Sequence, residues 1–241
     1  MGKRLITQRR GRGTNTYRAP SHRYHGKINY RRLDEEEKTS VVYGKVIDLI
    51  ACPGHSAPLA KIKYDTKEEV VLSAPLNVKV GDVVASGASA PVQTGNVLPL
   101  KNIPEGSLIF NIEIKPGDGG KLVRSAGSFA KVVGKSGDKI IIRLPSKKQK
   151  LMLSECRAML GVIAGDGRFE KPLLKAGTKM HAMRARNKLY PKTSGVAMNS
   201  VDHPFGSGRG RNAGKPKTAP RFAPAGRNVG LIKARKTGRG K

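Results

Sequence analysis

Ser107-Leu-Ile-Phe-Asn-Ile-Glu-Ile114 places Leu108, Phe110, Ile112 and Ile114 on one side of an extended chain, with Ser107, Asn111 and Glu113 among the residues on the other. A period of two sends successive side chains to opposite faces, so the stretch predicts a half-buried strand. The chain repeats this pattern in short lengths on either side. Val41–Ile50, Leu59–Tyr64 and Glu69–Leu72 are β-branched or alternating runs, broken at Cys52-Pro53-Gly54 and Asp65-Thr66-Lys67. Leu76–Asp82 continues the alternation, and Phe129–Val133, Lys139–Leu144 and Lys150–Leu153 add three more runs. Turn signals recur at Pro116–Gly120, Lys135–Asp138 and Pro145-Ser146. Many short strands punctuated in this way suggest small barrels. The Pro and Gly cluster of Ser86–Pro104 divides them into two units, with a boundary near Val84. No long helix is expected, and Lys179–Arg186 predicts about two helical turns.

Charge divides the chain differently. The 241 residues carry Lys+Arg 47 against Asp+Glu 17, a formal net charge of +30. Met1 to Leu33 holds ten Lys or Arg and no acidic residue, and Gly165 to Lys241 holds nineteen against Asp166, Glu170 and Asp202. The segment between them, with eighteen basic and fourteen acidic residues, resembles an ordinary globular domain. A nearly neutral middle with a basic arm at each end implies a polyanionic partner, because so much like charge opposes compaction. Nucleic acid is the first candidate, through phosphate neutralisation and counterion release. A membrane is not expected: there is no long apolar run, no basic amphipathic helix and no signal-peptide core after Met1–Arg12. Two distant cysteines, Cys52 and Cys156, form neither a disulfide framework nor a zinc ribbon and fit a reducing cytoplasm. Aromatics are 5% and Trp is absent, which favours binding by charge and backbone over stacking platforms.

Enzyme signatures are missing: no P-loop, no GxGxxG after a strand, no HExxH. Asp202 and His203 are adjacent and do not make a triad, which needs its members oriented through space. His22-x-x-His25 and Cys52-x-x-His55 have zinc-like spacing without a zinc scaffold, and are read as coincidental. The run Gly195-Val-Ala-Met-Asn-Ser-Val-Asp-His-Pro-Phe-Gly-Ser-Gly-Arg-Gly-Arg211 is a shaped turn. Pro204 restricts His203. Gly206, Gly208 and Gly210 permit close backbone approach, and Arg209 and Arg211 offer forked cations to phosphate. A DNA-compacting protein would share the charge, but it has no need of two β-barrel units or an Asp-His-Pro loop.

Gly195–Pro204 resembles the signature loop of the universal large-subunit ribosomal protein L-two family. Arg9–Thr14, Arg18–Arg23, Val80–Asp82, Leu98–Leu100, Ile103–Gly106, Pro116–Gly120 and Cys156-Arg157 match in order along the whole chain. Ala19–Arg23 and His203–Gly206 resemble the archaeal–eukaryotic branch, and the short length points to archaea. The resemblance implies an all-β protein, an OB-fold barrel followed by an SH3-like barrel with long basic irregular extensions. The corresponding segments are 1–36 for the N-terminal arm, 37–84 and 85–164 for the barrels, and 165–241 for the C-terminal extension. It also implies a non-enzymatic protein of the ribosome that binds large-subunit rRNA, neighbouring ribosomal proteins and, across the interface, the small subunit. Further implications are support of assembly and subunit association, and a place near the peptidyl-transferase centre, with His203 near it and positional in role. No cofactor is implied beyond magnesium held through the RNA. The residues expected on RNA are Arg4, Arg9, Arg10, Arg12, Arg18, His22 and Arg23 in the first arm. In the second they are Lys179, Arg184, Arg186, Lys192, Asn199, His203, Arg209, Arg211, Lys215, Arg221, Arg227 and Arg235. Ser194 stands where the family pattern carries Arg, and Ser200 where Pro or Ala is common; Lys192 is the nearest replacement cation.

Overall fold

The structure is a computed structural model that describes residues 2–6, 8, 12–15, 17–168, 170–210, 222 and 229–230. Two compact units are distinguished, one of Ser21–Pro172 and one formed by the two chain ends, Met1–Pro20 with Leu173–Lys241.

The Ser21–Pro172 unit is the all-β scaffold. Its strands are β1 (Val41–Ile50), β2 (Leu59–Tyr64), β3 (Glu69–Ser73), β4 (Val83–Gly87) and β5 (Val97–Pro99). They continue with β6 (Leu108–Phe110), β7 (Ala130–Ser136), β8 (Lys139–Arg143), β9 (Gln149–Leu153) and β10 (Arg157–Leu160). They form one ten-stranded sheet in the order β3-β2-β1-β4-β5-β10-β6-β7-β8-β9, antiparallel except where β4 meets β5 at Ser86 and Val97. A sheet of this extent is expected to curl, and this one serves two hydrophobic cores, the OB-fold and SH3-like halves anticipated above. The first core gathers Val42, Val46, Leu59, Ile62 and Leu72, and takes Val97, Phe110 and Met159 from later strands. The second gathers Leu98, Ile109, Val132, Ile140 and Ile142.

Local chemistry explains the strand limits. On β1, Val42, Gly44 and Val46 face inward, while Tyr43, Lys45 and Ile47 face out. Gly44 is required by packing: a Cβ there would lie 2.8 Å from both Ile62 and Tyr64 side-chain atoms. A bulge between Val46 and Asp48 then shifts the register against β2. Leu76–Asp82, expected to alternate as a strand, does not pair as one. Asn77 and Gly81 adopt φ of 65° and 98°, and Leu76 and Val80 are exposed. Such left-handed residues turn the chain, and pairing resumes only at Val83.

The Ser107–Ile114 strand is also shorter than expected. It ends at Phe110 because Asn111 takes φ 49°. Nor is its polar side wet, since Asn111 and Glu113 are both fully buried. Glu113 meets Arg157 of β10, its Oε1 accepting from Arg157 Nη2 at 2.8 Å and Nε at 3.2 Å. Its Oε2 accepts the Arg157 backbone N–H at 2.9 Å. Arg157 Nη1 lies 2.9 Å from the Glu37 carboxylate and donates to the Arg31 carbonyl at 3.0 Å. Glu37 belongs to α1 (Glu35–Thr39), which is capped by Asp34 accepting the Glu37 N–H, and it also accepts from Ser86 Oγ of β4. Arg31, one of the cations counted in the N-terminal arm, is turned inward to Asp34 and Glu68. Tyr30 stacks under Arg157 at 5.1 Å and donates to the Asn111 carbonyl.

Burial alone would weaken the Arg157 charge. Hydrogen bonds to Glu113 and the charges of Glu37 and Glu113 outweigh it, raising the guanidinium pKa above its ordinary value. Burial pushes the Glu37 carboxyl up against the opposing pull of Arg157. Breaking one member of such a buried group strands the others, at a cost of about 3–5 kcal/mol. Arg157→Ala is therefore expected to lower stability by about that amount in denaturant unfolding of the full chain, whereas Lys45→Ala on the exposed face of β1 should change it by less than about 0.5 kcal/mol.

The Pro116–Gly120 turn beside this network is closed by Asp118. Its carboxylate accepts the N–H groups of Ile114, Gly120 and Lys115 at 3.1, 3.2 and 3.3 Å. Burial raises the Asp118 pKa, but those three donors outweigh it and the net shift is downward. A carboxyl depressed in the folded state contributes stability above its unfolded pKa and loses it as pH falls through the folded value. Asp118→Asn is expected to lower the melting temperature at neutral pH. Its deficit relative to the parent should shrink as pH falls below about 4, where the unfolded aspartate takes up its proton.

Candidate nucleic-acid interface

The unit built from the chain ends carries most of the cations expected on RNA. Its helix α2 (Ala176–Arg184) begins three residues earlier than predicted and ends two earlier. No residue of α2 is buried, and Lys175 at its N-cap makes no side-chain cap. A short helix that buries no face against its own protein is poorly supported by itself. Lys179 and Arg184 on it are exposed, Arg186 is half-buried just beyond it, and Lys192 is exposed. Arg4, Arg12, Arg18 and Arg209 are exposed as well. His22 and Arg23 are exposed on a single 3-10 turn, Ser21–Arg23, in the β-scaffold unit. Arg9, Arg10, Arg211, Lys215, Arg221, Arg227 and Arg235 lie outside the described residues.

The loop around His203 closes on itself. A 3-10 turn at Gly195–Ala197 leads into Asn199, whose carbonyl accepts the N–H groups of Asp202 and His203 at 3.0 and 3.1 Å. Ser207 returns to donate to the Met198 carbonyl at 3.1 Å, and its hydroxyl accepts the Ser200 N–H at 2.9 Å. Asn199 thus positions the loop through its backbone, while its residue surface stays exposed. His203 Nδ1 accepts the Phe205 N–H at 3.1 Å, and the Phe205 ring packs edge-on at 5.1 Å. With Nδ1 used as an acceptor, the ring's other nitrogen, Nε2, is the one left to donate. Lys3 ties the N-terminal segment to this loop through its N–H to the Val201 carbonyl at 2.8 Å and its ammonium 3.6 Å from Asp202.

The glycines of this run serve different ends. A Cβ on Gly195 would lie 2.3 Å from His203 Cε1, and one on Gly206 would lie 2.3 Å from the Asn199 carbonyl oxygen. Both are therefore fixed by contacts inside the loop. Among the described residues nothing lies within 4 Å of a Cβ on Gly208, so of these three it is the one not fixed by a contact inside the loop.

The zinc-like pairs do not converge into a ligand set. Cys52 Sγ lies 3.2 Å from His55 Nδ1, while His22 and His25 are exposed. Among the described residues no three His, Cys, Asp or Glu side chains gather as a metal site. Burial and the nearby Arg124 charge lower the His55 pKa, favouring its neutral form. The Tyr, His and Arg mixture of Tyr17–His25 reads in the sequence as able to stack on RNA, but Lys188 and Tyr190, which line one recess with Tyr17, Lys179, Arg186 and Lys192, were not singled out. The signal for them was slight: a Tyr-Pro step.

Gly195→Ala is expected to push the His203 ring from its seat, measurable as a changed His203 Cε1–H chemical shift and faster exchange of the Phe205 amide. Gly208→Ala should leave both unchanged.

Comparison with known proteins is consistent along the whole chain. Residues 2–86 match the family model described as Ribosomal Proteins L2, RNA binding N-terminal domain. Residues 93–223 match Ribosomal Proteins L2, C-terminal domain. The chain is 54% identical over 239 residues to the large ribosomal subunit protein uL2 of Methanocaldococcus jannaschii, covering 99% of each. It is 52% identical to that of Methanothermobacter thermautotrophicus over the same length, and 49% identical to that of Methanococcus aeolicus. These relatives are archaeal and carry the name of a ribosomal component and not of an enzyme. With both domain models matched in order and half the residues identical across its length, the chain belongs to the ribosomal protein L2 family.

Proposed function

We propose that this protein is a structural component of the large ribosomal subunit, which binds large-subunit rRNA, aids subunit assembly and association, and lies near the peptidyl-transferase centre. One observation carries the reading: the acidic residues are concentrated in a self-sufficient β scaffold, while the ends present exposed cations on elements that bury little of their own. α2, with no buried residue and no acidic residue in its first turn, is the clearest case. Such elements gain their order from a partner that supplies both negative charge and contact surface.

In this reading residues 37–84 and 85–164 are the two barrels, and 1–36 and 165–241 are the arms. Two hydrophobic cores support a pair of barrels, and the first of them also draws Ile28 and Tyr30 from before residue 37 and Val97, Phe110 and Met159 from after residue 84. The RNA contacts are proposed at the exposed cations named above, with His203 held as a positioning residue by its bond to Phe205 and its seat against Gly195. Neighbouring ribosomal proteins and the small subunit are the other partners, and the ribosome in the cytoplasm is the location. No cofactor of its own enters; magnesium would reach the protein only through the RNA. Among the described residues no helix is long and apolar enough to cross a membrane.

Gradient sedimentation of native extract, with and without a high-salt wash, tests this. Retention with the large subunit through the wash is expected, because many phosphates are neutralised together and the arms are interleaved with RNA. Release by the wash, or co-migration with DNA, would instead favour a surface-bound DNA-compacting protein.

A further inference from the structure

The unit formed by the chain ends contains a recess of about 910 Å³ lined by both aromatic and cationic side chains. Tyr17 and Tyr190, the only two tyrosines in the described residues of that unit, both line it. Lys179, Arg186, Lys188 and Lys192 line it too, and no acidic residue does. The walls are built by local bonds. Asn187, at φ 46°, donates from Nδ2 to the carbonyls of Arg18 at 2.7 Å and Asn15 at 3.3 Å, joining the Tyr17 segment to the turn after α2. The Lys188 N–H returns to the Met183 carbonyl at 2.9 Å, closing that turn. Lys179 Nζ stands 5.4 Å from the Tyr190 centroid, so a cation already lies over the face of that ring.

We propose that this recess receives one unstacked nucleotide of the ribosomal RNA, its base on the Tyr190 and Tyr17 side and its phosphates on the lysines and Arg186. The inference rests on the rRNA-binding reading above and names the part of the RNA that this site takes. A flat π-system beside several cations suits a ligand that is both aromatic and anionic. An acidic peptide supplies the charge without the ring, and a nucleotide supplies both. Bases inside a duplex are stacked on one another, so only an extruded or single-stranded nucleotide presents its face to a protein ring. When the base takes the Tyr190 face, Lys179 is displaced toward the adjoining phosphate. The low aromatic content of the chain is consistent with this: few rings are available for stacking, and charge does most of the binding.

The test uses native large subunits, irradiated to form zero-length protein–RNA cross-links and mapped by mass spectrometry. A nucleotide adduct on Tyr17 or Tyr190 is expected. Cross-links elsewhere on the chain but none at these tyrosines would overturn the recess and leave rRNA binding standing. No cross-link to rRNA anywhere would overturn both. In parallel, full-length Tyr190→Ala is expected to bind large-subunit rRNA roughly 5- to 100-fold more weakly than the parent at fixed salt, the loss of one base stack. Tyr190→Phe, which keeps the ring, should stay within about twofold. Equal weakening by Phe and Ala, or none by Ala, would overturn the stacking role. Because cross-linking uses the unaltered protein, it decides the matter even if the Ala variant fails to fold.

Discussion

The fold depends on neutralising one buried guanidinium. Arg157 lies in β10, the strand that pairs with β5 on one side and β6 on the other. Its charge is met by Glu113 from the chain after β6 and by Glu37 from α1. Neither carboxylate has solvent to fall back on, so each must face a cation. The network therefore fixes α1, β4, β10 and the Glu113 segment in one arrangement. It does so at the join of the two cores, where Val97, Phe110 and Met159 already tie later strands to the first core.

A rigid joint of this kind complements the way charge is distributed. The buried acidic residues of the middle, Glu37 and Glu113, are spent inside it on Arg157, and Asp118 on the Pro116–Gly120 turn, so these carboxylates do not face a polyanion at the surface. Among the described residues of the ends, Arg4, Arg12, Arg18, Arg184, Lys192 and Arg209 remain exposed. The exception is instructive: Arg31 belongs by sequence to the basic arm, yet it is consumed by Asp34 and Glu68. A net charge describes attraction at long range, while the side chains that make contact are those the scaffold leaves unneutralised.

The His203 loop shows how much of a candidate site is legible without coordinates. Gly, Asn, Asp-His-Pro and Arg in that order announce a turn facing an anion, and the loop is indeed folded tightly. Which glycine serves which purpose was not legible. Gly195 accommodates the His203 ring from eight residues away, and Gly206 accommodates the Asn199 carbonyl. Both needs arise only when the loop closes. That Tyr17 shares a recess with Tyr190 was illegible for a related reason: 173 positions separate them in sequence, and only folding brings them together.

By itself the sequence determined the all-β class, the division into a near-neutral middle and basic ends, and membership of an RNA-binding family. Alternation, turn residues and charge are local properties, so they survive in a string of letters. Only the tertiary structure decided that Asn111 ends β6, that Glu113 points into protein and not water, and that β5 and β10 are strands at all. Those two strands are short, and β10 is buried along its whole length. A strand covered on both faces loses the alternation that would announce it. Its one charged residue reads as exposed until the carboxylates that neutralise it, 44 and 120 positions away, are folded against it.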